Sequence, residues 1–129
     1  MTSPAMKRAV RVLVVDDDEL VLKLVARGLE EAGFAVSHAT DAFHAMDYLE
    51  RCANDCAVVV TDLVMPGKTG AQLAREACSR WPHLRVLYMT GYTRGELARH
   101  GVPDCPHSVL QKPFDMDDLC RQVHALLAA

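Results

Sequence analysis

Residues 11–21 read RVLVVDDDELV, and this stretch decides the architecture. The segment VLVV is continuously apolar and rich in β-branched residues, the pattern of a parallel strand covered on both faces. It runs directly into three carboxylates, Asp16, Asp17 and Asp18. Adjacent like charges repel, and a solvated turn needs only one acid to cap the helix that follows. Asp18 is placed for that capping role. The crowding of the others points to a positive group held among them.

Four further short apolar runs follow, at Ala35–Ala39, Ala57–Thr61, Arg85–Tyr88 and Ser108–Gln111. Helical patterns lie between them. Val21, Leu24, Val25, Gly28, Leu29 and Ala32 fall on one face of the first, with Lys23, Arg27, Glu30 and Glu31 opposite and a stop near Gly33. Ala42, Ala45, Met46 and Leu49 mark a second helix. Thr69 and Gln72 form a capping box before a third, which carries Leu73, Ala74 and Ala77 and stops before Pro82. Thr93 and Glu96 open a fourth that has room for only about two turns before Gly101 and the Pro103–Pro106 loop. Asp115 opens the last, with Met116, Leu119, Cys120, Val123 and Leu127 on its apolar face. Strand and helix thus alternate, which predicts an α/β fold with a parallel sheet, helices on both faces and right-handed crossovers.

The chain has 129 residues, enough for one hydrophobic core but not for a catalytic domain plus a separate recognition domain. Half of the residues are apolar, 24% are charged and the net charge is −3, the balance of a globular protein without a basic stripe for nucleic acid. No run has signal-peptide or membrane-spanning character, so no membrane contact and a cytoplasmic location are expected. The five cysteines, Cys52, Cys56, Cys78, Cys105 and Cys120, lack the paired spacing of a zinc site or a disulfide framework and read as reduced thiols. The six histidines lie on polar helix faces or in loops without triad-like partners, and Met65-Pro66-Gly67 reads as a loop-shaping turn.

Ligands of an open parallel sheet bind beyond the carboxyl ends of its strands. There the sequence places Asp16 and Asp17 after the first strand, Asp62 at the end of the third, Thr90 at the end of the fourth and Lys112 after the fifth. Carboxylates with a loop carbonyl and water suit Mg2+, which prefers hard oxygen donors. Asp62 is then either a ligand only or also a nucleophile, since a carboxylate can accept a phosphoryl group as an acyl phosphate. A hydroxyl at Thr90 and an ammonium at Lys112 would neutralise the oxygens of a phosphoryl group in transfer.

The segments VLVVDDDE, VVVTDLVMPGKTG, VLYMTGY and VLQKPF resemble, in order and spacing, the signature segments of response-regulator receiver domains of two-component signalling. The likeness extends from about Arg11 to Leu127, which makes residues 1–9 an N-terminal tail and 10–129 the receiver domain. It implies a flavodoxin-like, doubly wound five-stranded parallel sheet of order 2-1-3-4-5 with five helices, the fourth short. It also implies a phosphorylation-activated switch of a two-component or phosphorelay system rather than an enzyme, assisting its own phosphorylation and dephosphorylation. The donor would be a histidine kinase or a histidine phosphotransfer protein, and the output protein contacts. By the same likeness Asp62 is the phosphoacceptor, Asp17 binds Mg2+ directly, Asp16 binds it mostly through water, and Val64 supplies a main-chain carbonyl. Thr90 is the switch hydroxyl and Lys112 the conserved-type cation, followed by a cis peptide to Pro113.

Two departures stand out. Receivers commonly carry an aromatic residue three positions before the lysine; here Val109 occupies it, and Tyr92 is a candidate substitute. The segment GYTRGELARHGVPDCPHSVLQKPF is similar to receivers attached to hybrid histidine kinases. No output segment follows the last predicted helix, so the chain is expected either to act alone or to be a module of a larger kinase, with Met1 favouring the first. Two alternatives remain: a small Mg2+-dependent aspartyl phosphohydrolase of the haloacid-dehalogenase type, and a phosphorylation-independent binding module. The first needs an acid two residues after its nucleophile, where this chain has Val64. The second would lack one of the acids, the acceptor or the lysine, and all are present.

Overall fold

The computed structural model describes residues 9–91, 99–103 and 105–128. Strands β1 (Arg11–Val15), β2 (Ala35–Ala39), β3 (Cys56–Asp62), β4 (Arg85–Thr90) and β5 (His107–Gln111) form one sheet in the order β2-β1-β3-β4-β5, every neighbouring pair parallel. Helices α1 (Glu19–Glu31), α2 (Ala42–Cys52), α3 (Gly70–Arg80) and α4 (Met116–Ala128) make the crossovers and the closing segment. These four are the α-helices among the described residues, where the sequence led us to expect five. The expected fourth, opened by Thr93 and Glu96, lies outside the described residues, as does Tyr92.

The helices cover opposite faces. Leu22, Val25 and Leu29 of α1 and Leu119, Val123 and Leu126 of α4 pack on Val12, Val14, Val58, Val60, Leu87 and Met89. Ala45, Met46 and Leu49 of α2 and Leu73 and Ala77 of α3 pack on Leu13, Val15 and Val59 from the other side. Strands β1 and β3 alternate between these two clusters residue by residue, which is why their sequences are apolar without interruption. Each fully buried Val or Leu contributes about 1.5–3 kcal/mol relative to exposure.

On α1 the buried face differs from expectation. Leu22, Val25, Ala26 and Leu29 are buried, at the i, i+3, i+4, i+7 spacing, whereas Leu24 is 58% exposed and Leu20 67%. The buried stripe is thus shifted by about one position: Leu22 and Ala26 take the places that the pattern gave to Val21 and Leu24, because the face carrying Leu22 is the one that meets the sheet, while Asp18 fixes where the helix starts. The Asp18 carboxylate accepts from the amides of Leu20 (3.0 Å) and Val21 (3.4 Å). Gly28 faces α4 here: a Cβ at this point would meet the Met116 methyl at 1.9 Å, a contact that the flexible methionine side chain relieves by changing rotamer. Thr69 and Gln72 form the expected capping box on α3. Asp115 caps α4 by accepting from the Asp118 amide at 2.8 Å.

The register brings the strand ends level. Val15 lies opposite Thr61, Asp62 opposite Met89, and Thr90 opposite Gln111. Residues that leave these strands at their carboxyl ends therefore emerge side by side.

Candidate functional site

At that edge, Asp16, Asp17 and Asp62 each offer a carboxylate oxygen within 4.8 Å of the others, the one such group of three or more metal-ligating side chains among the described residues. Asp16 is fully buried. Its Oδ1 accepts from the Asp18 amide at 2.8 Å. Its Oδ2 has no hydrogen-bond partner. The Lys112 ammonium stands 3.7 Å from that oxygen, an ion-pair distance but too long for a hydrogen bond. Asp17 is exposed, and Asp62 is intermediate. Lys112 reaches from the end of β5 and donates to Asp62 Oδ1 at 3.3 Å.

The electrostatics follow from this crowding. Burial pushes the Asp62 carboxyl above its ordinary value, the Lys112 cation pulls it back, and the Asp17 charge adds to the rise. Asp16 is likewise raised, first by burial, with the Asp18 amide opposing and the Asp62 charge reinforcing. One lysine does not balance three acids in a partly dehydrated recess. A hard divalent cation fits: it would satisfy the orphaned Asp16 oxygen and offset the desolvation, using the oxygen-only donor set that Mg2+ prefers.

Local structure explains each position. Thr61, buried, donates its hydroxyl to the Asp62 carbonyl at 2.9 Å. The Leu63 amide donates to Met89 O at 3.0 Å, which carries the β3 pairing one residue past Asp62. Val64, 44% exposed, stands two residues beyond the end of β3 in the loop before α3. Gly67 turns that loop with φ +83°, as expected, but Met65 is buried in the core beneath α2 and α3 rather than serving the turn alone. Thr90 is 2% exposed at the end of β4, and its carbonyl accepts from the Lys112 amide at 2.7 Å. The peptide between Lys112 and Pro113 is cis, as the resemblance implied.

The structure thus brings together Asp16, Asp17, Asp62 and Lys112, with Thr90 at the adjacent strand end. Asp18, the third acid of the run, is turned away into its helix cap. The sequence reading missed Gly70. A Cβ there would lie 2.3 Å from the Asp62 carbonyl oxygen, so α3 can start against the end of β3 only with glycine at this point. The Thr-Gly step at the capping box was the available signal.

The sequence profile of the response regulator receiver domain matches residues 12–124. The chain belongs to the receiver-domain family. The response regulator receiver protein CpdR of Brucella abortus (strain 2308) is 31% identical over 121 residues, covering 92% of this chain and 98% of that protein. The sensor kinase CckA of the same organism is 30% identical over 116 residues, and there the receiver spans only 12% of the relative's length. A solved response regulator receiver protein from Sinorhizobium medicae WSM419 superposes with a TM-score of 0.84 at 33% identity, covering 95% of this chain and 97% of that one. The receiver domain of the hybrid histidine kinase CckA superposes at 0.76 with 28% identity, covering 91% and 98%. The expected strand order is therefore that of a receiver, and receivers interact with histidine kinases or phosphotransfer proteins. No helix among the described residues of this receiver is long and apolar enough to cross a membrane.

Proposed function

We propose that this receiver is a phosphorylation-activated switch in which Asp62 accepts a phosphoryl group from a phosphohistidine. The observation that carries the reading is the Lys112 ammonium at 3.3 Å from Asp62 Oδ1, inside a cluster of three acids. An Asp62 carboxylate oxygen attacks phosphorus, the P–N bond to the donor imidazole breaks, and the leaving nitrogen takes up a proton. The product is an acyl phosphate on Asp62. Lys112 is near enough to neutralise the incoming oxygens, and Thr90 supplies a hydroxyl from the neighbouring strand end.

The residues that would hold Mg2+ are Asp16, Asp17, Asp62 and the main-chain carbonyl of Val64. When bound, the ion supplies positive charge to the phosphoryl oxygens. Asp62 is the acceptor rather than a ligand alone because it combines partial burial with the lysine contact, whereas Asp16 is sealed and Asp17 exposed. The receiver unit covers residues 10–129. Activity of the site toward its own acyl phosphate, by admitting water, belongs to the same arrangement and needs no further residue.

The test is incubation with acetyl phosphate and Mg2+, followed by intact mass. One phosphoryl adduct per chain is expected, absent in Asp62→Asn; an adduct that persists in that variant overturns the assignment. Turnover of p-nitrophenyl phosphate at enzymic rates would instead mark a phosphohydrolase. Failure to bind beryllofluoride with Mg2+ would mark a constitutive binding module.

A further inference from the structure

A second cluster lies on the α3 side of β4 and β5, away from the acids. Cys78, near the C-terminal end of α3, and Cys105, in the segment leading into β5, are 27 residues apart in sequence, and Cys78 Sγ donates to Cys105 Sγ at 2.7 Å. Both are free thiols and both are half-buried, packed with Val102 and Val109 against Ala74, Val86 and Tyr88. Cys56, the most buried cysteine, donates to Val58 O instead.

The contact is not an accident of one side chain, because α3 grips the same segment a second time. Arg75, one turn before Cys78 on the same helix face, donates its guanidinium to the Gly101 carbonyl. From the other side, Pro106 O accepts from the Val86 amide at 3.1 Å, fixing the chain just after Cys105 on β4. Arg75 and Val86 thus hold the chain at Gly101 and Pro106, to either side of Cys105, with the two sulfurs already in contact.

We propose that Cys78 and Cys105 form a reversible dithiol–disulfide modification site, oxidised by a low-molecular-weight disulfide of the glutathione class. The Cys105 thiolate attacks one sulfur of the oxidant, breaking its S–S bond and releasing one thiolate, which takes up a proton. Cys78 then loses its proton and attacks Cys105 Sγ, expelling the second small thiol. Two protein thiols and one small disulfide give one protein disulfide and two small thiols, and a dithiol reductant reverses the balance. Burial and the neighbouring Cys105 push the Cys78 thiol up, which makes it slow to begin the exchange and suits it to the resolving step beside an already linked sulfur. Cysteine pairs of this kind in reducing compartments are transient sensors rather than structural staples.

The link closes a loop that contains β4 and Thr90, and it ties the segment before β5 to α3. Resting on the function proposed above, its effect is regulatory: the oxidised receiver holds 99–103 and the start of β5 against α3, and so resists movement at Thr90.

The experiment uses the full chain, reduced and then titrated with mixtures of reduced and oxidised glutathione. Thiols are counted by alkylation mass after denaturation, and linkages are mapped by peptide digestion. Two of the five thiols should disappear together, with the peptides of Cys78 and Cys105 joined in a monomer. The link should be lost in Cys78→Ser and in Cys105→Ser, the latter a loop substitution that tests the contact even if the former fails to fold. It should persist in Cys120→Ser. Amide exchange at 107–111 should slow by about tenfold on oxidation. Five thiols surviving excess oxidised glutathione, or a stable mixed disulfide at Cys105 alone, overturns the proposal. The Asp62→Asn chain should form the link as the native chain does, so its result is independent of the phosphoacceptor assignment.

Discussion

Strands β1 and β3, which carry the acids, differ from β5, which carries the lysine. Val12 to Val15 and Val58 to Val60 are at most 2% exposed, sealed by helices on both faces. On β5 only Leu110 is buried, while His107 and Gln111 are exposed and Ser108 and Val109 half-covered. The carboxylates are therefore set in the most rigid part of the sheet, and the ammonium that answers them is mounted on its edge. On the proposed function the contrast has a use: carboxylates that hold a metal need a fixed spacing, and a lysine that follows an incoming phosphoryl needs freedom to move.

Substitutions can break this contrast. The largest effect is expected at the centre: Leu13→Ala should cost about 3 kcal/mol in urea unfolding, against about 1 kcal/mol for Val109→Ala on the edge. Equal costs would show that β5 is held as firmly as β1. Lys112→Ala should slow phosphorylation by acetyl phosphate by about a hundredfold without weakening Mg2+ binding, because the variant keeps every carboxylate and removes a cation that stands 3.3 Å from Asp62 and 3.7 Å from Asp16. A parallel loss of metal binding would contradict that division.

A smaller effect, of opposite sign, sharpens it. Asp62→Asn should raise the stability of the metal-free protein by about 1 kcal/mol, because it removes one of three crowded charges from a dehydrated recess. The native carboxyls at 16 and 62 are raised, so the metal-free fold binds more protons than the unfolded chain. Its stability should then fall as pH rises from the ordinary carboxylate range through their raised values, a dependence that the Asn variant should weaken. Thermal melts across that range would show it.

The smallest expected change lies far from the strand comparison and serves as its control. Asp41, at the start of α2, accepts from the His44 amide and ring, each at 2.8 Å, and these bonds hold its carboxyl below the usual value. Asp41→Ala should cost no more than about 1 kcal/mol, since the group is well solvated. A carboxyl lowered on folding stabilises above its unfolded value and loses that contribution as pH falls through its folded one. The difference between native and variant should therefore vanish in acid.

Much of this was legible before any coordinates. VLVV and AVVV announce strands buried on both faces, and the polar residues that end the strands announce where a ligand binds. Thr69 with Gln72 gives the start of α3 because a capping box is a local hydrogen-bond pattern. What the sequence hid was whatever depends on rotation or on distance. Leu24 and Leu22 are equally apolar, and only the packing of the helix on the sheet decides which faces inward. Gly70 looks like one more turn residue until the Asp62 carbonyl is seen against it. Cys78 and Cys105 belong to separate elements, and no periodicity joins residues so far apart along the chain.

Gly70 has a mechanical meaning as well. With no side chain between them, the first turn of α3 rests on the peptide of Asp62 itself, without a layer of rotamers to absorb a shift. A tilt of that helix is felt directly at Asp62. Any protein that grasps α3 from outside thereby holds a lever on the alignment of Asp62.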